Sequence, residues 1–308
     1  MDTHHHHSHG HDHAHAIGAT NRAFVIGVGL NLAFVVIEAG FGVAANSLSL
    51  LADAGHNFSD VIGLLAAWGA MVLARRLPSP RFTYGLRGST ILAALANAML
   101  LLIAVGGIAW ESIRRFTQPA ELNEMTIVWV ALVGVVINVI TALMLMKGSE
   151  HDINLRGAFL HMVADAAISL SVALAGLGML WTGWLWLDPA ISLMIAIVIF
   201  VGTWSLFKQS LRLSLHAVPD AIDPAAVQAF LAETTCVEAV HDLHIWGMST
   251  TETALTVHLI VGSEHPGNEF LHALAHELEH RFRISHATFQ IELGNAGAIC
   301  RFASPDVV

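Results

Sequence analysis

Two stretches of the chain place a histidine four residues before an aspartate inside apolar sequence. The first is ADAGHNFSD (52–60), with His56 and Asp60, and the second is HMVADAAIS (161–169), with His161 and Asp165. Residues four apart lie on one face of a helix, one turn from each other. Each pair therefore offers one imidazole and one carboxylate from the same face, and two such faces together supply four ligands.

Two imidazoles and two carboxylates suit a divalent cation with four ligands. Zn²⁺ accepts nitrogen and oxygen donors in tetrahedral sites, and two carboxylates neutralise its charge. An unpaired ionised carboxylate is costly in hydrocarbon, so a metal ion or protons must compensate it. Two alternatives stay open, namely polar residues that only hold helices together and a proton relay without metal. The repetition of the pair favours metal.

The composition is that of a membrane protein with an attached soluble part. Of the 308 residues, 55% are hydrophobic and 12% are charged, and the mean hydropathy is +0.63. Soluble proteins usually carry about 25% charged residues. The formal net charge of −10 and the lack of a basic stripe argue against nucleic acid as a partner.

Six apolar segments reach or approach the ~20 residues that a helix needs to cross a bilayer. They lie at about 23–45, 48–74, 89–110, 125–146, 157–181 and 187–207. We therefore predict a six-helix transmembrane domain over residues 17–210, embedded in a lipid bilayer.

Residues 1–16 (MDTHHHHSHGHDHAHA) contain eight histidines and too few apolar residues for a core. We predict a disordered, histidine-rich cytoplasmic tail that collects metal, since imidazole is a common metal ligand. An expression tag is the alternative, although tags are normally unbroken histidine runs.

The distribution of Lys and Arg predicts the orientation in the membrane. If the N-terminus is inside, the outer loops hold only Arg114 and Arg115. The inner segments then hold Arg22, Arg75, Arg76, Arg81, Arg87, Lys147, Arg156, Lys208 and Arg212. Both termini are therefore expected in the cytoplasm.

Residues 211–308 are expected to form a small α+β, ferredoxin-like cytosolic domain that binds metal and dimerises. A helix is predicted at 224–232 with Asp223 as its N-cap, and another at 267–282. Strands are predicted at 240–248, 254–262 and 287–293 from their alternation. Because the domain is small for an independent core, we expect it to pack against a second copy.

Several stretches resemble the cation diffusion facilitator family over nearly the whole chain. SLSLLADAGHNFSD resembles the family's second transmembrane helix, HMVADAAISL its fifth, and VHDLHIWGMSTTETALTVHLIV its cytosolic domain. The resemblance implies a homodimer that exchanges cytoplasmic divalent metal for external protons, with no organic cofactor and no enzymatic activity. The combination of His56, Asp60, His161 and Asp165 is the one that this family associates with zinc transport.

The same resemblance implies a regulatory metal site in the cytosolic domain. The matching positions are His241, His258 and Glu292. Gln290 replaces a histidine used by some relatives, and His244 is interpreted as structural. Cys300 is interpreted as part of an inert tail.

A further metal site that some relatives carry in the loop between helices two and three is expected to be missing here. Its three positions hold Ser79, Phe82 and Leu86, which do not bind zinc strongly. His151 and Asp152 are interpreted as part of a solvated loop.

The segment HELEH (276–280) matches the H-E-x-x-H motif of zinc proteases. A protease would need a third ligand and a substrate cleft in a larger domain. We instead expect Leu271, Leu274, Leu278 and Phe282 to form the buried face, with His276 and His280 toward solvent.

Taken together, the sequence predicts a zinc/proton antiporter that exports zinc from the cytoplasm and confers metal resistance, located in the inner cell membrane. The alternative is a membrane metal sensor or scaffold without net transport. The choice among zinc, cobalt, nickel and cadmium stays open.

Overall fold

The computed structural model of the chain describes residue 29 and residues 32–149 and 153–294. The predicted histidine-rich tail, His151, Asp152 and Cys300 lie outside these residues. The helices are α1 (Leu32–Ala44), α2 (Leu48–Ala74), α3 (Ser89–Thr117), α4 (Glu124–Ser149), α5 (Ile153–Thr182), α6 (Leu187–Ser214), α7 (Pro224–Ala232) and α8 (Asn268–Phe282). The strands are β1 (Val237–Gly247), β2 (Thr253–Val261) and β3 (Ile284–Leu293).

Helices α2 to α6 are each long and apolar enough to cross a membrane, and α1 is a shorter apolar helix in its described part. Large apolar side chains such as Trp68, Trp129 and Leu143 remain exposed on them. Such exposure suits contact with lipid rather than water. The prediction of an α-helical membrane protein is confirmed.

The described residues fall into two compact units, one with residues up to Ile62 and Leu100–Thr203, the other with Gly63–Met99 and the chain from Trp204 onward. Small residues allow close helix packing in the first unit. A Cβ at Gly176 would lie 2.7 Å from Val128 Cγ2, and one at Gly134 would lie 3.1 Å from Ser169 Oγ. Only glycine therefore lets α4 approach α5 this closely.

The start of α2 is held by a carboxylate from α6. Asp188 is fully buried and accepts hydrogen bonds from the backbone N–H of Leu48 (2.9 Å) and Ser49 (3.2 Å). It also accepts from the hydroxyls of Ser47 (2.7 Å) and Ser49 (2.6 Å). These bonds satisfy donors that a helix leaves unpaired at its N-terminus. The helix that carries His56 and Asp60 thus begins at a fixed point.

The C-terminal domain has the predicted α+β character. Its sheet has the order β1-β2-β3, with β1 antiparallel to β2 and β2 parallel to β3. Helix α8 connects the two parallel strands, and Asp223 caps α7 by accepting from Ala225 N at 2.9 Å. The order α-β-β-α-β confirms the small ferredoxin-like domain.

Strands β1 and β3 begin three residues before the predicted positions. Ser285 and His286, near the start of β3, are exposed, so this part lacks the alternation on which the prediction depended. Backbone pairing with β2 nevertheless extends the strand to Ile284, which lies opposite Thr253. Leu274 and Leu278 of α8 are buried in the domain core as predicted, whereas Leu271 and Phe282 are only partly buried.

Candidate metal centres

Helices α2 and α5 bring the four predicted intramembrane residues together. His56 Nε2 lies 3.7 Å from Asp60 Oδ2 and 3.7 Å from Asp165 Oδ1. His161 Nε2 lies 3.1 Å from Asp60 Oδ2 and 3.5 Å from Asp165 Oδ2. Ligand atoms of His56, His161 and Asp165 all lie within 4.8 Å of one another.

These separations match those between ligands of a tetrahedral zinc ion. With Zn–N and Zn–O bonds of roughly 2.1 Å, neighbouring ligand atoms are about 3.4 Å apart. The four nitrogen–oxygen distances of 3.1–3.7 Å lie on both sides of this value. A single small cation therefore fits between His56, His161 and Asp165, and Asp60 lies beside them, 3.7 Å from His56 Nε2 and 3.1 Å from His161 Nε2.

The burial of the four residues is uneven. The side chain of Asp165 is 1% exposed, and its oxygens accept no hydrogen bond from the described residues. Asp60 and His161 are 34% and 41% exposed. Asp165 thus forms the closed end of the site and needs a positive partner, whereas Asp60 and His161 form its accessible side.

A hydrogen-bonded group beside the four residues was missed by the sequence analysis. Ser169 Oγ donates to Asp53 Oδ2 at 2.8 Å, which joins α5 to α2. Asn57 Nδ2 donates to Asp53 Oδ1 (3.2 Å) and to the Asp53 carbonyl (3.1 Å). All three residues are buried. Their spacing was a usable signal, because Ser169 lies four residues after Asp165 and Asp53 lies three before His56.

The three predicted cytosolic ligands also converge. His241 Nε2 lies 3.5 Å from Glu292 Oε2, and His258 Nδ1 lies 3.1 Å from Glu292 Oε1. Ligand atoms of the three residues lie within 4.8 Å of one another.

The sheet register explains this convergence. His241 lies opposite His258, and His258 lies opposite Gln290 on the other side. Glu292, two residues beyond Gln290 in β3, points to the same face of the sheet. Gln290 Nε2 donates to Glu292 Oε1 at 3.0 Å and so holds this carboxylate in place.

Asp242 belongs to this cluster and was not predicted. The sheet register shifts between His241 and His244, and Asp242 adopts a positive φ of 51° there. Its Oδ2 lies 3.3 Å from His258 Nε2, and its Oδ1 lies 2.9 Å from His244 Nε2. The irregularity in β1 thus turns a second carboxylate toward His258.

The H-E-x-x-H segment of α8 exposes its histidines to solvent, as predicted. His276 and His280 are exposed, and their ring centroids are 6.4 Å apart. Within the described part of the chain, groups of three ligands converge only at the two clusters above.

Both the membrane part and the C-terminal domain of the chain match known protein families. The sequence model of the cation efflux transmembrane domain matches residues 24–213, and that of the cation efflux protein cytoplasmic domain matches residues 219–293. A solved structure, the metal-bound C-terminal domain of the CzcD transporter from Cupriavidus metallidurans, is 36% identical and covers 23% of this chain and 100% of its own, with a TM-score of 0.21.

Full-length relatives match over most of their length. The metal cation efflux system protein CzcD of Cupriavidus metallidurans is 35% identical over 94% of each chain. The cadmium, cobalt and zinc/H(+)-K(+) antiporter of Bacillus subtilis is 32% identical over 89% of this chain and 90% of its own. Zinc transporter ZitB of Escherichia coli is 33% identical over 88% of this chain and 87% of its own. The resemblance noted in the sequence is confirmed, and the chain belongs to the cation efflux, or cation diffusion facilitator, family.

Proposed function

We propose that the chain is a zinc/proton antiporter that exports zinc from the cytoplasm. The ion is bound in the membrane by His56, Asp60, His161 and Asp165. The observation that carries this proposal is the convergence of ligand atoms of His56, His161 and Asp165 within 4.8 Å of one another, with Asp60 at 3.7 and 3.1 Å from the two histidines. These separations are close to those between ligands of one zinc ion. The names of the relatives, which include zinc transport and antiport, support it.

The charges of the ligands explain why protons can drive the transport. Two carboxylates and two neutral imidazoles around Zn²⁺ have no net charge, which lowers the cost of placing the ion in the membrane. The same four side chains must lose protons to bind metal. Protons that enter from the outer side therefore displace zinc there, and their release to the cytoplasm restores the binding site.

The donor set favours zinc and similar transition metals over magnesium and calcium. Mg²⁺ and Ca²⁺ bind six or more oxygen ligands, whereas this site offers two imidazole nitrogens and two carboxylates. Imidazole suits Zn²⁺ and its neighbours in the first transition series. The site therefore discriminates by ligand type and number.

In the cytosolic domain, the proposed role of His241, His258 and Glu292 is to bind regulatory Zn²⁺ in a homodimer. The three ligand atoms lie close enough for one ion. The match to the family's cytoplasmic domain supports association between copies of this small domain. Asp242 supplies a further oxygen near His258.

The proposed arrangement of the chain follows its charges and its apolar segments. Residues 1–16 form a cytoplasmic tail, 17–210 the six-helix transmembrane domain and 211–308 the cytosolic domain. Lys and Arg are more frequent in the segments on the same side of the membrane as the two termini than in the loops on the other side. This excess supports a cytoplasmic location of both termini. The proposed location is the inner cell membrane.

Zinc flux into proteoliposomes tests the function. Vesicles with an acidic interior are supplied with external zinc, and flux is compared before and after the proton gradient is dissipated. An antiporter gives zinc uptake that follows the gradient. Zinc binding without gradient-driven uptake would instead support the alternative, a membrane metal sensor or scaffold.

A further inference from the structure

Glu38 is a buried carboxyl group that the proposed transport site does not use. It lies in α1 and is 0% exposed. Neither of its side-chain oxygens accepts a hydrogen bond from the described residues. An ionised carboxylate without a partner is among the most costly groups to bury within a membrane protein. Its charge must therefore be removed or compensated.

A second carboxyl group lies beside Glu38. Glu38 lies within hydrogen-bonding reach of the carboxyl group of Asp53 in α2. Two ionised carboxylates are both acceptors and repel each other. Contact between them is favourable only when a proton or a cation lies between them.

Asn57 helps to hold the Asp53 carboxylate in place. Its side chain is 1% exposed, and its Nδ2 donates to Asp53 Oδ1 at 3.2 Å. The Asp53 carboxylate therefore has a fixed donor of its own within the buried region.

We propose that Glu38 and Asp53 form a proton-binding site beside, and separate from, the four metal ligands, with the proton on Glu38. A proton is the smallest ligand that can remove one of the two negative charges. The contact between the two carboxyl groups is enough to hold it. The site goes beyond the proposed function, because its occupancy does not depend on zinc transport.

The hydrogen bonds decide which carboxyl holds the proton. Asp53 accepts from Ser169 Oγ (2.8 Å) and from Asn57 Nδ2 (3.2 Å), and such donors stabilise an ionised carboxylate. Glu38 has no equivalent donors among the described residues. The neutral Glu38 carboxyl then donates to the Asp53 carboxylate.

This proton keeps the support of the metal site intact. The Asp53 carboxylate joins α2 to α5 through Ser169, next to the four metal ligands. If Glu38 is neutral, α1 can pack beside Asp53 and Ser169, and the Asp53 carboxylate is the only charge that this pair buries.

Infrared spectroscopy of the full chain in lipid nanodiscs tests the site, because protonated carboxylic acids and carboxylates have separate carbonyl bands. The wild type is expected to show a carboxylic acid band that Glu38→Gln removes, by the intensity of one carboxyl group per chain. Asp53→Asn is expected to retain it. Glu111→Gln is the matched control, because Glu111 pairs with Arg114 and Arg115 at 2.8 and 3.2 Å and adds no acid band.

Glu38→Gln should still bind zinc, since a neutral amide replaces a neutral acid of the same size. Retained zinc binding with loss of the acid band separates this proposal from the transport proposal. An unchanged band in Glu38→Gln, or a band lost in Asp53→Asn instead, would overturn it. The wild type alone gives a further test: removal of the band by added K⁺ or Na⁺ would show that the occupant is a metal cation and that the proton assignment is wrong.

Discussion

His161 Nε2 lies closer to Asp60 Oδ2 of the neighbouring helix, at 3.1 Å, than to Asp165 Oδ2 of its own helix, at 3.5 Å. The shortest contact of the intramembrane cluster therefore joins α5 to α2. Ligand geometry depends on the relative position of these two helices. A small shift between them would separate His161 from Asp60 and weaken the proposed metal binding, as the proposed release of the ion requires.

Replacing Asp165 by asparagine should abolish zinc transport. The change keeps the size of the side chain but removes one of the two charges that compensate Zn²⁺. We expect zinc affinity to fall by more than the roughly 10–100-fold that loss of an outer-shell partner costs. Equilibrium zinc binding and vesicle flux measure the effect. Asp220→Asn is the control, because Asp220 is exposed and pairs with Arg212 in the C-terminal domain; similar losses in both variants would count against the site.

Ser169→Ala should weaken zinc binding although Ser169 is not a ligand. The change removes the hydroxyl that donates to Asp53 across α2 and α5. Outer-shell partners of metal ligands typically contribute about 10-fold or more in affinity, and this bond lies just outside the ligand set. Ser171→Ala is the matched control, since its hydroxyl donates to Ile168 O within the same helix at 2.6 Å. Equal affinities in the two variants would show that the bond does not position the ligands.

Asp188→Ala should lower the stability of the membrane domain. Four donors at the start of α2 lose their acceptor. Loss of a helix cap and of buried hydrogen bonds costs about 1–3 kcal/mol. The melting temperature of the purified chain in detergent measures this effect, with Glu264→Ala as an exposed control. An unchanged melting temperature would mean that other groups hold the start of α2.

Gln290→His should strengthen metal binding in the cytosolic domain. Gln290 Nε2 lies 3.5 Å from His258 Nδ1 and next to Glu292, so an imidazole here adds a nitrogen donor to the three ligands. Zinc affinity of this site should rise by roughly 10-fold, about 1.4 kcal/mol. Titration with zinc in an Asp165→Asn background isolates the cytosolic site. Weaker binding would show that the Gln290–Glu292 hydrogen bond matters more than a fourth ligand.

Much of this arrangement was predictable from local spacing. The four-residue interval places His56 and Asp60 on one helix face, and His161 and Asp165 on another. Because the two pairs have the same composition and spacing, the sequence indicates that the two faces meet. Alternation predicted β2 within one residue. These features depend on periodicity, which a sequence displays directly.

The features that were missed depend on contacts between distant residues or on irregular backbone. The Asp53–Ser169 bond spans 116 residues, and Asp188 caps a helix 140 residues earlier in the chain. Asp242 reaches His258 because of a register shift and a positive φ in β1, which the strand pattern does not reveal. The sequence shows Glu38 only as a polar residue within an apolar segment, whereas its burial beside Asp53 depends on the packing of α1 against α2.

The most direct test of the central claim is gradient-driven zinc flux in proteoliposomes that contain the wild type, His161→Ala or His280→Ala. His161 bridges the two ligand helices, whereas His280 is an exposed histidine of α8. The four-ligand site predicts flux that follows the proton gradient in the wild type and in His280→Ala and that is absent in His161→Ala. Gradient-driven flux of normal rate in His161→Ala would show that zinc crosses the membrane without this site.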